Sequence, residues 1–117
     1  FPDKSFAEIH SYNSIHMYGR LGDADGFFRE FNEYWRVLED GGRLYMTFPA
    51  VNGEWAWSDP AAVRVIHPIN LRYLTAGFYS TGTSVTHRYR KMVDGWWSIE
   101  MLDNKNGLTW VALRKEI

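Results

Sequence analysis

The sequence contains no cysteine, and this absence excludes a disulfide framework and a zinc site built on thiolates. It also has no charge excess, since 13 lysine and arginine residues are balanced by 14 aspartate and glutamate residues. Proteins that bind nucleic acid by neutralising phosphates need a cationic surplus, so no nucleic-acid partner is expected. No apolar run approaches the roughly 18 residues of a membrane-spanning segment, and we expect a cytoplasmic protein with no membrane partner.

What the sequence does contain is the composition of a globular domain. Apolar residues make up 45% and charged residues 23% of the 117 residues, which is sufficient for one hydrophobic core. We therefore expect residues 1–117 to form a single domain. The first residue is Phe1 rather than methionine, so we expect that the chain was trimmed or numbered from within a longer protein.

The first half of the chain has the pattern of a strand, a helix and a second strand. Residues 6–11 alternate loosely and predict a short strand. Asp23 or Asp25 can cap a helix, because a carboxylate accepts from the free amide groups of the first turn. Apolar residues then recur at helical spacing, and the Asp-Gly-Gly of residues 40–42 predicts the helix end. Residues 43–48 predict a strand, which completes a βαβ unit.

The second half predicts short helices and further strands. In chain order, we expect a short helix opening at Pro60, a helix over 68–76 closed by Gly77, a strand over 85–93, a hairpin turn at Asp94-Gly95, a strand over 96–101, a turn over 103–107 and a last strand over 108–114. The Asp-Gly pair is the clearest hairpin signal, because both residue types tolerate the left-handed backbone of a tight turn.

Several stretches carry a resemblance to a known family. Residues 1–9 (Phe-Pro-Asp-Lys-Ser-Phe-Ala-Glu-Ile) resemble the pattern F-P-D-x-S-F-D-x-I/V, and residues 13–16 resemble the loop that follows it. Residues 36–44 (Arg-Val-Leu-Glu-Asp-Gly-Gly-Arg-Leu) resemble R-V-L-K-P-G-G-R-L, and residues 58–64 are a weaker match to D-P-T-H-x-R. On these residues the chain resembles the class I methyltransferases that use S-adenosylmethionine.

This resemblance implies a fold. It corresponds to the C-terminal half of the family's domain, in which the complete sheet has the strand order 3-2-1-4-5-7-6. We therefore expect an α/β fold, a partial Rossmann-like methyltransferase sheet equivalent to strands 4-5-7-6, with two or three helices. In that half-sheet the first strand is an edge, whose unpaired amide and carbonyl groups favour pairing with another chain. We predict a homodimer or higher oligomer that covers this edge strand.

The resemblance also implies an activity, the transfer of a methyl group from S-adenosylmethionine to a small molecule. The chain departs from the family at Ala7, where aspartate is usual, and at Ala62, where the related stretch has histidine. The glycine-rich cofactor loop G-x-G-x-G does not occur. S-adenosylmethionine is thus expected by resemblance only, and the other option is that this chain holds no cofactor. The isolated chain is expected to be inactive. The alternative is a non-catalytic binding or assembly module built on a truncated half-fold.

Candidate site residues lie at the predicted carboxyl ends of the parallel strands, where open α/β sheets bind small-molecule ligands. His16 is the expected catalytic base, because an unperturbed histidine pKa of about 6.5 suits proton transfer near neutrality, and a packing role is the other interpretation. The remaining assignments are Tyr12 as a second catalytic residue, Ser11 and Asn13 as cofactor-binding, and His10, Asn52, Trp55 and Trp57 as substrate-binding.

Two tryptophans and four histidines admit further interpretations. Trp55 and Trp57 would project to the same side of an extended loop and could stack on a sugar or a base, or they could form a lid on the core. The histidines, at positions 10, 16, 67 and 87, are scattered without an i,i+4 pair, so no metal site is expected.

Overall fold

A four-stranded sheet is the frame on which the other elements are placed. The computed structural model describes residues 1–80 and 88–117. The strands are β1 (Phe6–Tyr12), β2 (Leu38–Pro49), β3 (Trp97–Lys105) and β4 (Leu108–Lys115), and the helices are α1 (Ala24–Val37), α2 (Trp55–Ser58), α3 (Pro68–Arg72) and α4 (Ala76–Ser80), with one turn of 3-10 helix at Ile15–Met17. The strands pair in the order β1-β2-β4-β3. The fold is α/β, and the order expected for a 4-5-7-6 half-sheet is confirmed.

The direction of the strands explains where the core lies. β1 and β2 are parallel, whereas β4 is antiparallel to both β2 and β3. A parallel pair cannot be joined by a tight turn, so the chain crosses one face of the sheet, and α1 forms this crossover. The predicted βαβ unit is therefore confirmed. The core cluster joins α1 to one face of β2 and β4 through Phe28, Phe31, Leu44, Met46, Phe48, Val111 and Leu113.

Helix α1 begins as predicted and ends earlier than predicted. The Asp23 carboxylate accepts from the amide of Gly26 at 3.0 Å and caps the first turn. The helix ends at Val37, and the next residue, Leu38, already pairs with Phe6 of β1. The prediction that the glycines at 41 and 42 end the helix was therefore wrong, because Leu38 is drawn into the sheet first.

The two glycines form a bulge inside β2 instead. Phe6 pairs with Leu38 and Glu8 with Arg43, so β2 accommodates extra residues that β1 lacks. Gly41 has a φ of +75°, and a Cβ at Gly42 would lie 3.0 Å from the carbonyl oxygen of Ala7. Both positions therefore need glycine, one for its backbone angle and the other for the close approach of β1.

A buried lysine joins the end of β4 to the junction of α1 and β2. Lys115 is 1% exposed, and its ammonium group donates to the Leu38 carbonyl at 2.7 Å. The same nitrogen lies 4.0 Å from the centre of the Trp35 ring and 3.9 Å from the Asp40 carboxylate. Burial lowers the pKa of this lysine, and the nearby carboxylate partly opposes that shift.

The segment before β3 is not the hairpin that the Asp-Gly pair predicts. Residues 88–90 are helical, 91–92 form a turn and 94–95 a bend, so the predicted strand over 85–93 is wrong where it is described. Its residues 85–87 lie outside the described part. Asn32 of α1 holds this segment, donating to the Met92 carbonyl at 2.8 Å and accepting from the Asp94 amide at 3.0 Å. A Cβ at Gly95 would overlap the Trp35 ring, so this glycine serves packing against α1.

The hairpin lies further on, at Asn106 and Gly107. These residues have φ values of +58° and +76°, and Lys105 pairs directly with Leu108 across them. Two consecutive left-handed residues are the signature of a two-residue type I′ turn, whose twist matches that of the flanking strands. The predicted turn is thus shorter than residues 103–107, and the predicted last strand is confirmed.

The short helices differ from their predictions in their limits. The expected helix over 68–76 is two helices, α3 and α4, and Gly77 lies inside α4 instead of ending a helix. Pro60 follows α2 and does not open a helix. The start of α3 is fixed by a capping box, in which the His67 ring accepts from Ile69 and Asn70 accepts from His67. Among the described helices, none has the length and apolar character needed to cross a bilayer.

The cap of α1 gives a stability prediction. Asp23→Ala removes the acceptor for the Gly26 amide and is expected to lower the free energy of unfolding by about 1 kcal/mol. Urea denaturation followed by circular dichroism measures the change. Asp25→Ala is the matched control, because Asp25 lies in the first turn without capping it, and an equal loss in both variants would contradict the cap assignment.

Candidate functional site

The carboxyl ends of β1 and β2 are held together at one end of the sheet. The amide of Asn13, the residue after β1, donates to the Thr47 carbonyl at 2.8 Å and to the Thr47 hydroxyl at 2.9 Å. Asn13 has a φ of +52°, so the chain turns sharply here and leaves the sheet. This geometry places the residues that end β1 beside those that end β2.

Three alternate residues of β1 form a hydrogen-bonded row. Because side chains of a strand alternate between its two faces, Glu8, His10 and Tyr12 project to the same side. His10 Nε2 lies 3.0 Å from Glu8 Oε1, and His10 Nδ1 lies 2.6 Å from the Tyr12 hydroxyl. We call these three residues the Glu-His-Tyr row. It connects a carboxylate, an imidazole and a phenol, with the phenol at the carboxyl end of the strand.

The partners of the imidazole determine its tautomer. A carboxylate can only accept, so His10 Nε2 carries the proton and donates to Glu8. His10 Nδ1 is then a free acceptor, and the Tyr12 hydroxyl donates to it. The phenolic oxygen keeps its lone pairs for a further partner. The row is therefore an oriented path along which a proton can pass from the phenol to the imidazole.

Packing on β2 orients the imidazole, and the phenol remains accessible. The His10 ring stacks on Tyr45 of β2, with ring centres 5.0 Å apart and planes 25° apart. Tyr12 is 55% exposed, so its hydroxyl can be reached by a small molecule. Because the row is exposed, each hydrogen bond in it contributes little to stability. The row matters because it holds the His10 ring and the Tyr12 hydroxyl in a fixed orientation at the end of the sheet.

The residues assigned to the cofactor by resemblance are engaged within the chain. Ser11 Oγ lies 2.8 Å from Ser14 Oγ, and the Asn13 amide is held by Thr47. S-adenosylmethionine needs a backbone cradle for its amino-acid part, which glycines normally provide. Gly19 faces the Arg64 side chain, Gly26 faces the helix-capping Asp23, and a Cβ at Gly22 would meet open space. The described residues do not fit this cofactor.

His16 is a buried residue of the 3-10 turn that follows β1. Its side chain belongs to the 3-10 turn, it is 6% exposed, and its Nδ1 has no hydrogen-bond partner among the described residues. Its carbonyl accepts from the amides of Val63 and Arg64. Burial lowers the pKa of His16, with Arg64 lowering it further and Asp59 opposing the change. Its catalytic role stays a prediction, and access to a substrate is poor.

Arg64 fixes the 3-10 turn that contains His16. The guanidinium group is almost fully buried, donates to the Ile15 carbonyl at 2.9 and 3.0 Å, and pairs with Glu30 of α1 at 2.8 Å. It therefore joins the 3-10 turn to α1. The weak match of residues 58–64 to D-P-T-H-x-R includes Arg64, but it does not reveal these contacts, because the partners Ile15 and Glu30 are distant along the chain.

The predicted substrate residues after β2 are exposed and separated in direction. Asn52 is exposed, and the rings of Trp55 and Trp57 are 69% and 68% exposed. Both tryptophans belong to α2, where residues two apart point to nearly opposite sides. The expectation that they project together was therefore wrong, since it assumed an extended loop. Their exposure also contradicts a lid buried on the core.

A metal site would need several histidine or acidic side chains close together. Within residues 1–80 and 88–117, no group of three or more histidine or acidic side chains could hold a metal ion, and His87 lies outside these ranges.

Glu8 was not predicted as a site residue. Its signal was present, because Glu-x-His-x-Tyr on a predicted strand places three polar side chains on one face.

Comparisons with known proteins give a structural likeness only. No family model matches the chain, and no curated protein matches it. A possible exported protein from Bordetella parapertussis superposes with a TM-score of 0.52 at 16% identity, covering 99% of this chain and 41% of that one. A candidate DNA modification methylase from Thermus thermophilus gives TM-scores of 0.47 and, in complex with S-adenosyl-L-methionine, 0.45, each at 16% identity over 99% of this chain and 47% of that one.

These likenesses bear on the fold alone. The Bordetella structure agrees with the α/β architecture described above, whereas a TM-score below 0.5 does not establish a common fold. The chain spans less than half the length of these solved structures.

The burial of His16 gives a pH prediction. Its folded-state pKa lies below the ordinary 6.5, so the unfolded chain binds more protons and stability falls as the pH drops below about 6.5. His16→Leu is expected to reduce this loss between pH 7 and pH 5, by at most about 1.4 kcal/mol per pH unit. Urea denaturation at each pH measures it.

The control for this experiment is a second histidine variant. His10→Gln removes an exposed imidazole and is expected to retain the loss of stability that the buried imidazole causes. A His16→Leu variant with the same pH dependence as the parent chain would contradict the assignment.

Proposed function

We propose that this chain is a methyltransferase-like unit that holds the methyl acceptor, a small molecule with an acidic hydroxyl group, at Tyr12 and His10. The observation that supports this proposal is the Glu-His-Tyr row at the carboxyl end of β1. The sheet order corresponds to the 4-5-7-6 half of a methyltransferase domain, and ligands of open α/β sheets lie at this end. Methyl transfer to oxygen needs removal of the acceptor's proton, which is the task of a general base.

The row would remove that proton in two coupled transfers. The acceptor hydroxyl donates to the Tyr12 oxygen, whose own proton is donated to His10 Nδ1. When the acceptor's proton moves to Tyr12, the phenolic proton moves to the imidazole. Tyr12 is neutral before and after, the acceptor becomes an oxyanion, and His10 becomes a cation beside the Glu8 carboxylate. Glu8 thus stabilises the charge that develops on the imidazole.

The surrounding rings favour a flat, aromatic acceptor. His10 stacks on Tyr45, and the Tyr12 ring meets the His10 ring edge to face, with centres 5.5 Å apart. An aromatic acceptor can pack against such rings while its hydroxyl group reaches Tyr12. A small phenol is therefore the substrate class that this site fits.

A second candidate function is a non-catalytic assembly module. It is favoured by the glycines of the described residues, which form no cradle for a cofactor. In such a module the Glu-His-Tyr row would serve the interface, and no small molecule would bind to it. The two candidates differ in whether Tyr12 binds a phenol.

Binding of a phenol tests the proposal directly. In the 117-residue chain, 4-methylphenol is expected to cause saturable shifts of the His10 imidazole resonances in an NMR titration. Tyr12→Phe keeps the ring and removes the hydroxyl that links phenol to imidazole, so the shifts should be lost. Tyr18→Phe, at an exposed tyrosine outside the row, is the matched control. Saturable shifts of equal size in Tyr12→Phe, or none in the parent chain, would contradict the proposal.

The cofactor gives a separate prediction. Calorimetric titration of the same chain with S-adenosylmethionine is expected to show no binding tighter than about 100 μM, or roughly −5.5 kcal/mol. The reason is that Ser11 is engaged with Ser14 and that the described glycines form no cradle. Tighter binding that is lost in Ser11→Ala would show that this chain holds a cofactor site of its own.

A further inference from the structure

A cavity of about 240 Å³ lies between the start of α1 and α3. Aromatic rings from separate parts of the chain form one side of it. Phe28 of α1 stacks on Tyr89 with ring centres 5.5 Å apart, and Tyr73 meets Tyr89 edge to face at 5.4 Å. Tyr73 and Tyr89 are only half-buried, so part of each ring remains accessible. A flat ligand ring can pack against them.

This cavity is separate from the Glu-His-Tyr row. Phe28 belongs to the core that α1 forms on one face of the sheet, and Ile9 of β1 packs against the same core. Because side chains alternate along a strand, the neighbours of Ile9 at positions 8 and 10 project from the opposite face. A ligand in the cavity therefore does not contact the row.

A buried guanidinium group forms part of the cavity wall. The Arg64 side chain is 4% exposed, and its Nε and Nη2 atoms donate to the Ile15 carbonyl and the Glu30 carboxylate. Nη1 has no hydrogen-bond partner among the described residues. Leaving such a donor without a partner in a largely buried place is costly, so Nη1 has the capacity to bind a ligand.

The other free polar groups of the wall are also mainly donors. Asn70 accepts from the His67 amide with Oδ1, which leaves its Nδ2 group without a partner in the described part of the chain. The exposed Arg20 adds a second cation. Asp23 is the acidic side chain of this wall, and one of its oxygens already accepts from the Gly26 amide. A ligand for the cavity must therefore supply acceptors.

We propose that this cavity binds a small aromatic carboxylate with a single ring. The ring packs against Phe28, Tyr73 and Tyr89, and the carboxylate accepts from Arg64 Nη1 and Asn70 Nδ2. Guanidinium groups form strong, charge-assisted hydrogen bonds with carboxylates. The volume limits the ligand to one ring, since pockets for larger organic ligands measure roughly 300–1,000 Å³ and this one about 240 Å³.

Benzoate is the ligand with which the proposal can be tested. In an NMR titration of the 117-residue chain, benzoate is expected to cause saturable shifts of the Asn70 side-chain amide resonances. Nuclear Overhauser effects should connect its ring protons to those of Tyr73 and Tyr89. For a ligand of about nine non-hydrogen atoms, we expect a dissociation constant of about 1 mM.

Asn70→Asp tests the chemical class of the ligand. This variant keeps an oxygen for the His67 amide, and so the cap of α3, but replaces the Nδ2 donor with a carboxylate oxygen. Charge repulsion is expected to weaken benzoate binding about tenfold or more. Asn52→Asp adds the same charge at an exposed residue outside the cavity, and its dissociation constant should stay within about twofold of the parent value.

Arg64 is less suitable for substitution, because its loss would also separate the 3-10 turn from α1. Circular dichroism confirms that each variant is folded. Tyr12→Phe should bind benzoate as the parent chain does, since Tyr12 lies in the row on the other face of the sheet. Loss of the phenol site and loss of the cavity site are therefore distinguishable.

Benzoate that contacts Tyr73 and Tyr89, and whose binding is weakened by Asn70→Asp but not by Asn52→Asp, supports the proposal. The absence of saturable shifts up to about 20 mM benzoate overturns it. Equal affinity in Asn70→Asp and the parent chain, or loss of benzoate binding in Tyr12→Phe, overturns it as well.

Discussion

The tie between the ends of β1 and β2 is the contact on which the other features depend. Through its amide, Asn13 is fixed to both oxygens of Thr47, so the end of β1 is held beside the last residues of β2. Parallel strands require a crossover, and α1 provides it over one face of the sheet. That face becomes the core. The β1 side chains that alternate away from it remain exposed, and these are the residues of the Glu-His-Tyr row.

The parts of the fold that could be predicted are those with a periodic pattern. α1 and the last strand have one, and the strand order followed from the resemblance. Two of the errors share a physical cause, since in both a distant contact overrides a local turn signal. Asp94-Gly95 has a hairpin sequence, but Asn32 holds it against α1. The glycines at 41 and 42 have a helix-ending sequence, but Leu38 pairs with Phe6 before them.

The position of the candidate residues could be predicted, whereas their contacts could not. Tyr12 and His10 lie near the end of β1 as expected, because the end of a parallel strand is recognisable from the sequence. The contrast between His10 and His16 could not, since the pattern along the chain does not reveal burial. His16 lies in a buried turn that a different segment holds, since the amides of Val63 and Arg64 donate to its carbonyl. Two histidines of equal intrinsic chemistry thus have unequal access to solvent.

The bulge in β2 has a consequence for how the chain can vary in length. Between Leu38 and Arg43, β2 contains residues that β1 does not match, and regular pairing resumes at Glu8. This short stretch uncouples the end of α1 from the register of the strand that follows. A residue gained or lost there would change the size of the bulge, whereas one gained or lost after Arg43 would turn every later side chain of β2 to the opposite face. Homologous chains should therefore differ in length before Arg43 and keep a constant length after it.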